Sequence, residues 1–424
     1  MRRLLLAWVL ALVACSRPPA GQPFELRIAA PGALDPFGPD VRSSYTTAVT
    51  DLVYEAPFRV GPDGNFVPTL AERWERLGRS RFRLTIRSGV RFSDGSPLTT
   101  ADVVRSLGSS GLRVREHGGW LEIEPSSADE PIEPLLLYAL ISRPTAGAPA
   151  LGTGPYAFVE GDARHIVLRR VEPGPRRIAQ VEIVGYPSLR DAFARLLRND
   201  VNAALGLDER QLELLEGMPQ IKVVRSQAPH AVAVFMNAAR LDRATRRGLA
   251  AALAVPEVAS AYGAGCRYEG RAPAQEALPP GRELGVNVSV AAGDFARLAL
   301  AVRRALGGRG GKLIVEDVGQ FQERRSRLDY DLAVAPLLVW PPVFLASYLQ
   351  TRGPWNWSGY SNPAFDRLVE GGDIAGAQAE LERDPPAVMI CRRQRYLAVD
   401  ARIHNPTMGA WGILETLPDW EVSP

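Results

Sequence analysis

The residues best placed to do chemistry are few and scattered. At the amino terminus Arg2-Arg3 precede an apolar run, Leu4–Val13, and then Ala14-Cys15. A basic start followed by an apolar stretch too short to span a bilayer reads as a secretory leader. Small Ala14 before Cys15 makes the junction resemble a lipidation box, with Cys15 as the lipidated first residue of the mature chain. The next candidates are aromatic: Trp340, Trp355 and Trp357, with Asn356 between the last two. An indole face stacks on rings or cations and buries a large area, so these residues could form a ligand platform. Ser43, Ser44 and Tyr45 could add polar contacts from the first half of the chain, and Asn237 from its middle.

Spacing argues against catalysis and against a metal. The four histidines His117, His165, His230 and His404 lie far apart, with no pair at helical spacing. Gly307-Gly308-Arg309-Gly310-Gly311-Lys312-Leu313 has the look of a phosphate loop, but its first glycine is misplaced and Leu313 replaces the hydroxyl that Mg²⁺ requires. It is read as a turn. No Gly-x-Ser-x-Gly elbow occurs either. A non-enzymatic protein without a cofactor is expected.

Composition narrows the class further. The chain has 424 residues, 46% hydrophobic and 23% charged, which suits a soluble globular protein with two or three packed units. Lys+Arg 50 against Asp+Glu 47 gives a net charge of +3, and losing Arg2 and Arg3 with the leader brings it closer to zero. Nothing there steers the protein to nucleic acid. Beyond Cys15 only Cys266 and Cys391 remain, and an exported protein could pair them or leave both as thiols.

The elements that must position these residues alternate. Phe24–Ala29 and Phe82–Arg87 read as strands, Tyr45–Val53 as a helical stretch, and Thr100 as the cap of a helix Ala101–Leu107. Leu189–Leu197, Arg243–Leu253, Phe295–Leu306 and Pro363–Val369 have helical periodicity, while Val232–Phe235, Lys312–Val318 and Asp331–Leu338 read as extended. Ser16–Pro23 has the Pro and Gly content of a short tether.

Several blocks, in order, resemble the extracellular solute-binding proteins of the peptide, dipeptide and nickel class, family 5. They are Leu34-Asp35-Pro36; Asp51-Leu52-Val53-Tyr54-Glu55; Gly64–Trp74; Phe82–Val104, with Ser93-Asp94-Gly95-Ser96-Pro97 at its centre; Gly152-Thr153-Gly154-Pro155-Tyr156; Val234-Phe235-Met236-Asn237; and Tyr360–Leu368. The resemblance implies an α/β, two-lobed periplasmic-binding-protein fold of the class II type, with a hinge of two crossings and a shortened extra subdomain in lobe one. It places a signal peptide at 1–14, a lipidated tether at 15–23, lobe one at 24–237 plus 399–424 with the reduced subdomain at 108–151, and lobe two at 238–398. The crossings fall near Phe235–Asn237 and Val399–Arg402.

The implied function is that of a lipid-anchored subunit of an ABC-type importer at the cell envelope, on its periplasmic or extracellular face. Such a monomer encloses a peptide-like or other small solute and hands it to a membrane permease. A signalling or structural lipoprotein that keeps the scaffold without transport is the alternative. Peptide-binding members carry an aspartate after a strand, in Asp-Tyr-x-Asp/Glu-Pro, which pairs with the peptide amino group. The corresponding stretch here, Leu337-Leu338-Val339-Trp340-Pro341-Pro342-Val343-Phe344-Leu345, holds no acid. The expected ligand therefore lacks a free α-amine, unless Asp331 or Asp40 supplies the counter-charge from elsewhere.

Overall fold

The computed structural model describes residues 24–40, 44–61, 65–77, 81–126, 132–146, 148–207, 209–226, 230–262, 266–268, 276–289, 293–316, 318–338, 343–353, 355–409 and 412–423. The leader, Cys15 and the tether lie outside them.

Two sheets organise the chain. The first has seven strands in the order Tyr156–Gly161, His165–Arg170, Ile178–Tyr186, Phe24–Pro31, Ala203–Leu205, Tyr396–Asp400, Ile221–Arg225. Its strand Phe24–Pro31 runs parallel to both neighbours. Leu26, Ile28 and Ala30 face one core and Ala29 another, while Glu25 and Arg27, on the same face as Ala29, are exposed, as the alternation Phe-Glu-Leu-Arg-Ile followed by Ala29-Ala30 requires. The second sheet has six strands in the order Cys266–Arg267, Ala387–Arg393, His230–Met236, Leu332–Leu338, Leu284–Ser289, Gly310–Glu316. Alternation splits its central strand. Val232, Val234 and Met236 pack under the helices Arg243–Leu253 and Gly293–Ala305, whereas Ala231, Ala233 and Phe235 face a separate core.

That separate core joins the second sheet to a subdomain carried by the first lobe. A four-stranded antiparallel sheet in the order Ala71–Arg76, Phe82–Ile86, Trp120–Pro125, Leu112–His117 is flanked by the helices Thr100–Ser109 and Ile132–Tyr138. Phe82, Leu84, Leu121, Ile123, Leu136 and Leu137 belong to the same buried cluster as Phe235 and Ala335. Half of this small sheet comes from residues before Gly108, so the extra unit draws on more of the chain than the 108–151 stretch. The block Ser93–Val104 is scaffold within it. Thr99, one residue earlier than expected, caps the helix in a reciprocal box with Asp102.

The chain leaves the first sheet after Arg225 and is in the second from His230; it leaves the second after Arg393 and rejoins the first at Tyr396. Both crossings thus precede the expected positions, since Phe235–Met236 lies inside a strand of the second sheet and Val399 inside one of the first. The apolar strands His230–Met236 and Tyr396–Asp400 that follow the crossings lie inside their sheets, and the polar Ser226 and Gln394-Arg395 stand between the strands that the crossings join. The crossings are joined to each other. Ser226 N–H donates to the Arg395 carbonyl at 2.9 Å, and Arg395 N–H donates to Ser226 Oγ at 2.9 Å.

Cys266 and Cys391 form a disulfide between adjacent strands of the second sheet, with Cα atoms 5.3 Å apart. Pairing, left open by the sequence, is therefore resolved. Among the described residues no helix is long and apolar enough to cross a membrane.

Candidate functional site

Between the second sheet and the subdomain lies a train of aromatic rings built by one doubled-back segment. The helix Val343–Leu349 ends in a turn that returns along itself, and Trp355 N–H donates to the Ser347 carbonyl at 2.9 Å. Gly353 permits that approach, because a Cβ there would sit 2.4 Å from the Ser347 oxygen. Asn356 then fixes the turn. Its Nδ2 donates to the carbonyls of Gln350 at 2.9 Å and Tyr360 at 2.7 Å, and its Oδ1 accepts from Ser358 Oγ at 2.9 Å. The amide is fully engaged, so Asn356 positions the flanking indoles and offers little to a ligand directly.

Those indoles have different neighbours. Trp355 lies 5.5 Å from the Tyr138 ring at 79°, an edge contact that crosses from lobe two to the lobe-one subdomain. It also lies 5.3 Å from Tyr348. Trp357 packs on Tyr348 at 5.2 Å and on Phe235 at 5.9 Å, and its carbonyl accepts from the Tyr330 hydroxyl. Burial pushes the Tyr330 phenol up, so it remains a neutral donor.

Over the Trp357 ring, 3.7 Å from its centroid, stands the guanidinium of Arg325, which also lies 4.7 Å from the Phe321 ring. Arg325 is 7% exposed. Its Nε is sealed from solvent and has no hydrogen-bond partner. Among the described residues no carboxylate pairs with it. Desolvation pushes its pKa down to about 10, which leaves it charged at neutral pH. Cation–π attraction returns roughly 0.5–2 kcal/mol, whereas an uncompensated buried charge costs several.

The sequence does not single out this residue, because it assigns no element between the extended stretches Lys312–Val318 and Asp331–Leu338, where the helix Val318–Ser326 stands. The signal lay in its spacing: Arg325 is four residues after Phe321 and seven after Val318, on the face that should be apolar.

The remaining candidates separate. Trp340 and Ser43 lie outside the described residues. Ser44 opens the helix Ser44–Thr50, and Tyr45 packs against the core of the first sheet, apart from the aromatic train. Asn237 is completely buried; its Nδ2 donates to the carbonyls of Leu328 at 2.7 Å and Tyr330 at 2.8 Å, and its Oδ1 accepts from Ala239 N–H at 3.0 Å. It holds the loop after the Arg325 helix and is not a ligand contact.

Asp331 is taken as well. Arg282 grips it through two nitrogens at 2.8 and 2.6 Å and Gly285 N–H adds a third bond, so although burial opposes its charge, the carboxyl is held below the usual range. Asp40 is exposed. Among the described residues no group of three or more His, Cys, Asp or Glu could hold a metal ion.

No family model matches the chain. Its fold, however, is that of family 5 solute-binding proteins, with two lobes. The oligopeptide-binding protein AppA of Bacillus subtilis, solved with a nonapeptide, superposes with a TM-score of 0.74 at 16% identity, over 95% of this chain and 100% of that one. The periplasmic binding protein AgaA of Agrobacterium tumefaciens R10, solved with agropinic acid, gives 0.76 at 17% identity over 94% and 99%. NikA of Staphylococcus aureus, solved with Ni(L-His)₂, gives 0.72 at 14% identity over 94% and 100%.

A curated protein of Escherichia coli K12, the probable deoxycholate-binding periplasmic protein YgiS, is 40% identical over 75 residues. That stretch spans 18% of this chain and 14% of the relative.

Proposed function

We propose that this chain belongs to solute-binding protein family 5 and is the lipid-anchored binding subunit of an ABC-type importer. It encloses a small solute between its lobes on the outer side of the inner membrane and delivers it to a permease. The observation that carries this reading is the hinge: two short crossings, bonded to each other at Ser226 and Arg395, separate two sheet-based lobes whose aromatic surfaces meet at Trp355 and Tyr138. Rotation about such a pair of crossings leaves the core under each sheet intact and opens and closes the cleft by parting the cluster that Phe235 shares with the subdomain. No bond is broken in this function, and the protein is not an enzyme.

The ligand lacks a free α-amine. The stretch around Trp340 has no acid, and Asp331 is already held by Arg282. A desolvated ammonium left unpaired would cost several kcal/mol, on the order of a thousandfold in affinity. The partial likeness to a deoxycholate-binding protein favours the same view, because its named ligand carries no amine. Cys15 is the anchor.

A thermal-shift screen of the full-length chain with blocked and free peptides, steroid acids, aromatic acids, amines and sugars tests the binding role, since a ligand that binds only the folded state raises its melting temperature. A shift with at least one solute is expected; none across the screen would contradict the role. Cys15→Ala should move the protein from the membrane to the soluble fraction, and continued lipid labelling of that variant would refute the anchor.

A further inference from the structure

We propose that Arg325 binds the carboxylate of the solute, and that the solute is an organic monoanion with an apolar or aromatic body. This deepens the binding role proposed above and rests on it.

Five charged side chains are buried among the described residues, and four are answered. Asp102 is bound by Arg143 and Arg105. Arg246 is bound to Asp384 and to the carbonyls of Leu241 and Pro385. Glu316 takes bonds from Arg324 and Asn287, and Asp331 is gripped by Arg282. Arg325 alone has neither an ion pair nor a side-chain hydrogen bond, although it is more than nine-tenths buried. Among the described residues every other buried charge is closed, and this one is left open beside the rings that reach the opposite lobe.

Geometry gives the class of partner. A guanidinium stacked on an indole has that face covered and its N–H donors directed outward in its plane, which is the fork that matches a carboxylate. The rings against it, Trp357 and Phe321, continue from Trp357 through Tyr348 to Trp355 and on to Phe235, and this aromatic train suits a weakly hydrated body. The charge of the hinge agrees. No acid occurs between Glu216 and Asp242 or between Asp384 and Asp400, the two stretches that contain the crossings, whereas Arg225, Arg392 and Arg395 lie in them. Arg392 pairs in register with Ala231 and so stands on the sheet face that bears Phe235.

The test is calorimetry on the full-length chain with matched pairs: deoxycholate below its micelle concentration against deoxycholamide, indole-3-acetate against indole-3-acetamide, and N-acetyl-Leu-Phe against its amide. At least one carboxylate is expected to bind, with its amide weaker by about thirtyfold or more. Arg325→Met should lose a similar factor and Arg325→Lys a smaller one, both with unchanged circular dichroism. If the best-binding pair shows equal affinities, or if Arg325→Met binds as tightly as the wild type, the inference falls while the binding role stands. If the wild type binds none of these and nothing in the wider screen, the binding role falls and the inference with it.

Discussion

Asp102 in the lobe-one subdomain and Arg325 in lobe two are both buried charges on short helices, and they have opposite surroundings. Asp102 receives Arg143 at 2.5 Å and Arg105 at 2.8 Å while it also caps its own helix through Thr99. Arg143 in turn reaches Ser96 and the Pro97 carbonyl and covers the Phe92 ring. Arg325 stands over the rings of Trp357 and Phe321 and, among the described residues, has no counter-ion. The first arrangement locks a turn, a helix and the Ser142–Thr145 strand into one unit. The second holds a charge ready for something that the described residues do not supply. A resemblance carried by Ser93–Val104 therefore identifies scaffold, and the residue that selects a ligand lies outside every block of it.

Substitution should give these two charges opposite signs. The largest effect is expected for Asp102→Ala, which strands Arg143 and Arg105 and removes the cap: a loss of about 3–5 kcal/mol in urea denaturation. A loss below about 1 kcal/mol would reduce the latch to an ordinary surface pair. Hydrogen bonds from Arg143 hold the Asp102 carboxyl well below the usual carboxylate range, so its contribution is complete above the unfolded value near 3.9 and fades as pH falls toward the folded one. The stability gap between wild type and Asp102→Asn should accordingly narrow below about pH 4. A gap constant down to pH 2 would remove the charge from the explanation.

Lobe two relies on a covalent tie where the subdomain relies on charge. Replacing both Cys266 and Cys391 by Ala removes a link across 125 positions, and a loss of about 2–4 kcal/mol is expected, confined to the wild type under oxidising conditions. Equal stability of wild type and variant without reductant would contradict the tie. The smallest change is predicted for Arg325→Met. The free protein should be unchanged or more stable by about 1 kcal/mol, because an unpaired buried cation is replaced by an apolar side chain. A loss of several kcal/mol would mean that Arg325 is structural.

Local signals made much of the fold readable. The helices Leu189–Leu197 and Arg243–Leu253 follow their apolar spacing, and Pro363 stands at the first helical position after the Asn362 cap. Gly307–Arg309 is a short turn with no phosphate-loop geometry to support. What the sequence concealed depends on distance or on broken pattern. The Cys266–Cys391 pair and the Tyr138–Trp355 contact join positions far apart in the chain, and no local rule brings them together. The helix Val318–Ser326 was obscured by its polar composition and by a cation where an apolar residue belongs. Trp355 and Trp357 were recognisable as an aromatic cluster, but Asn356, between them, acts on the backbone.

Closure of the two lobes about Ser226 and Arg395 is the claim on which the rest depends, and small-angle scattering on the free and solute-saturated protein tests it most directly. With a solute already shown to bind by calorimetry, the account predicts a smaller radius of gyration and a shorter maximum dimension. Identical scattering curves for the free and saturated protein would contradict it.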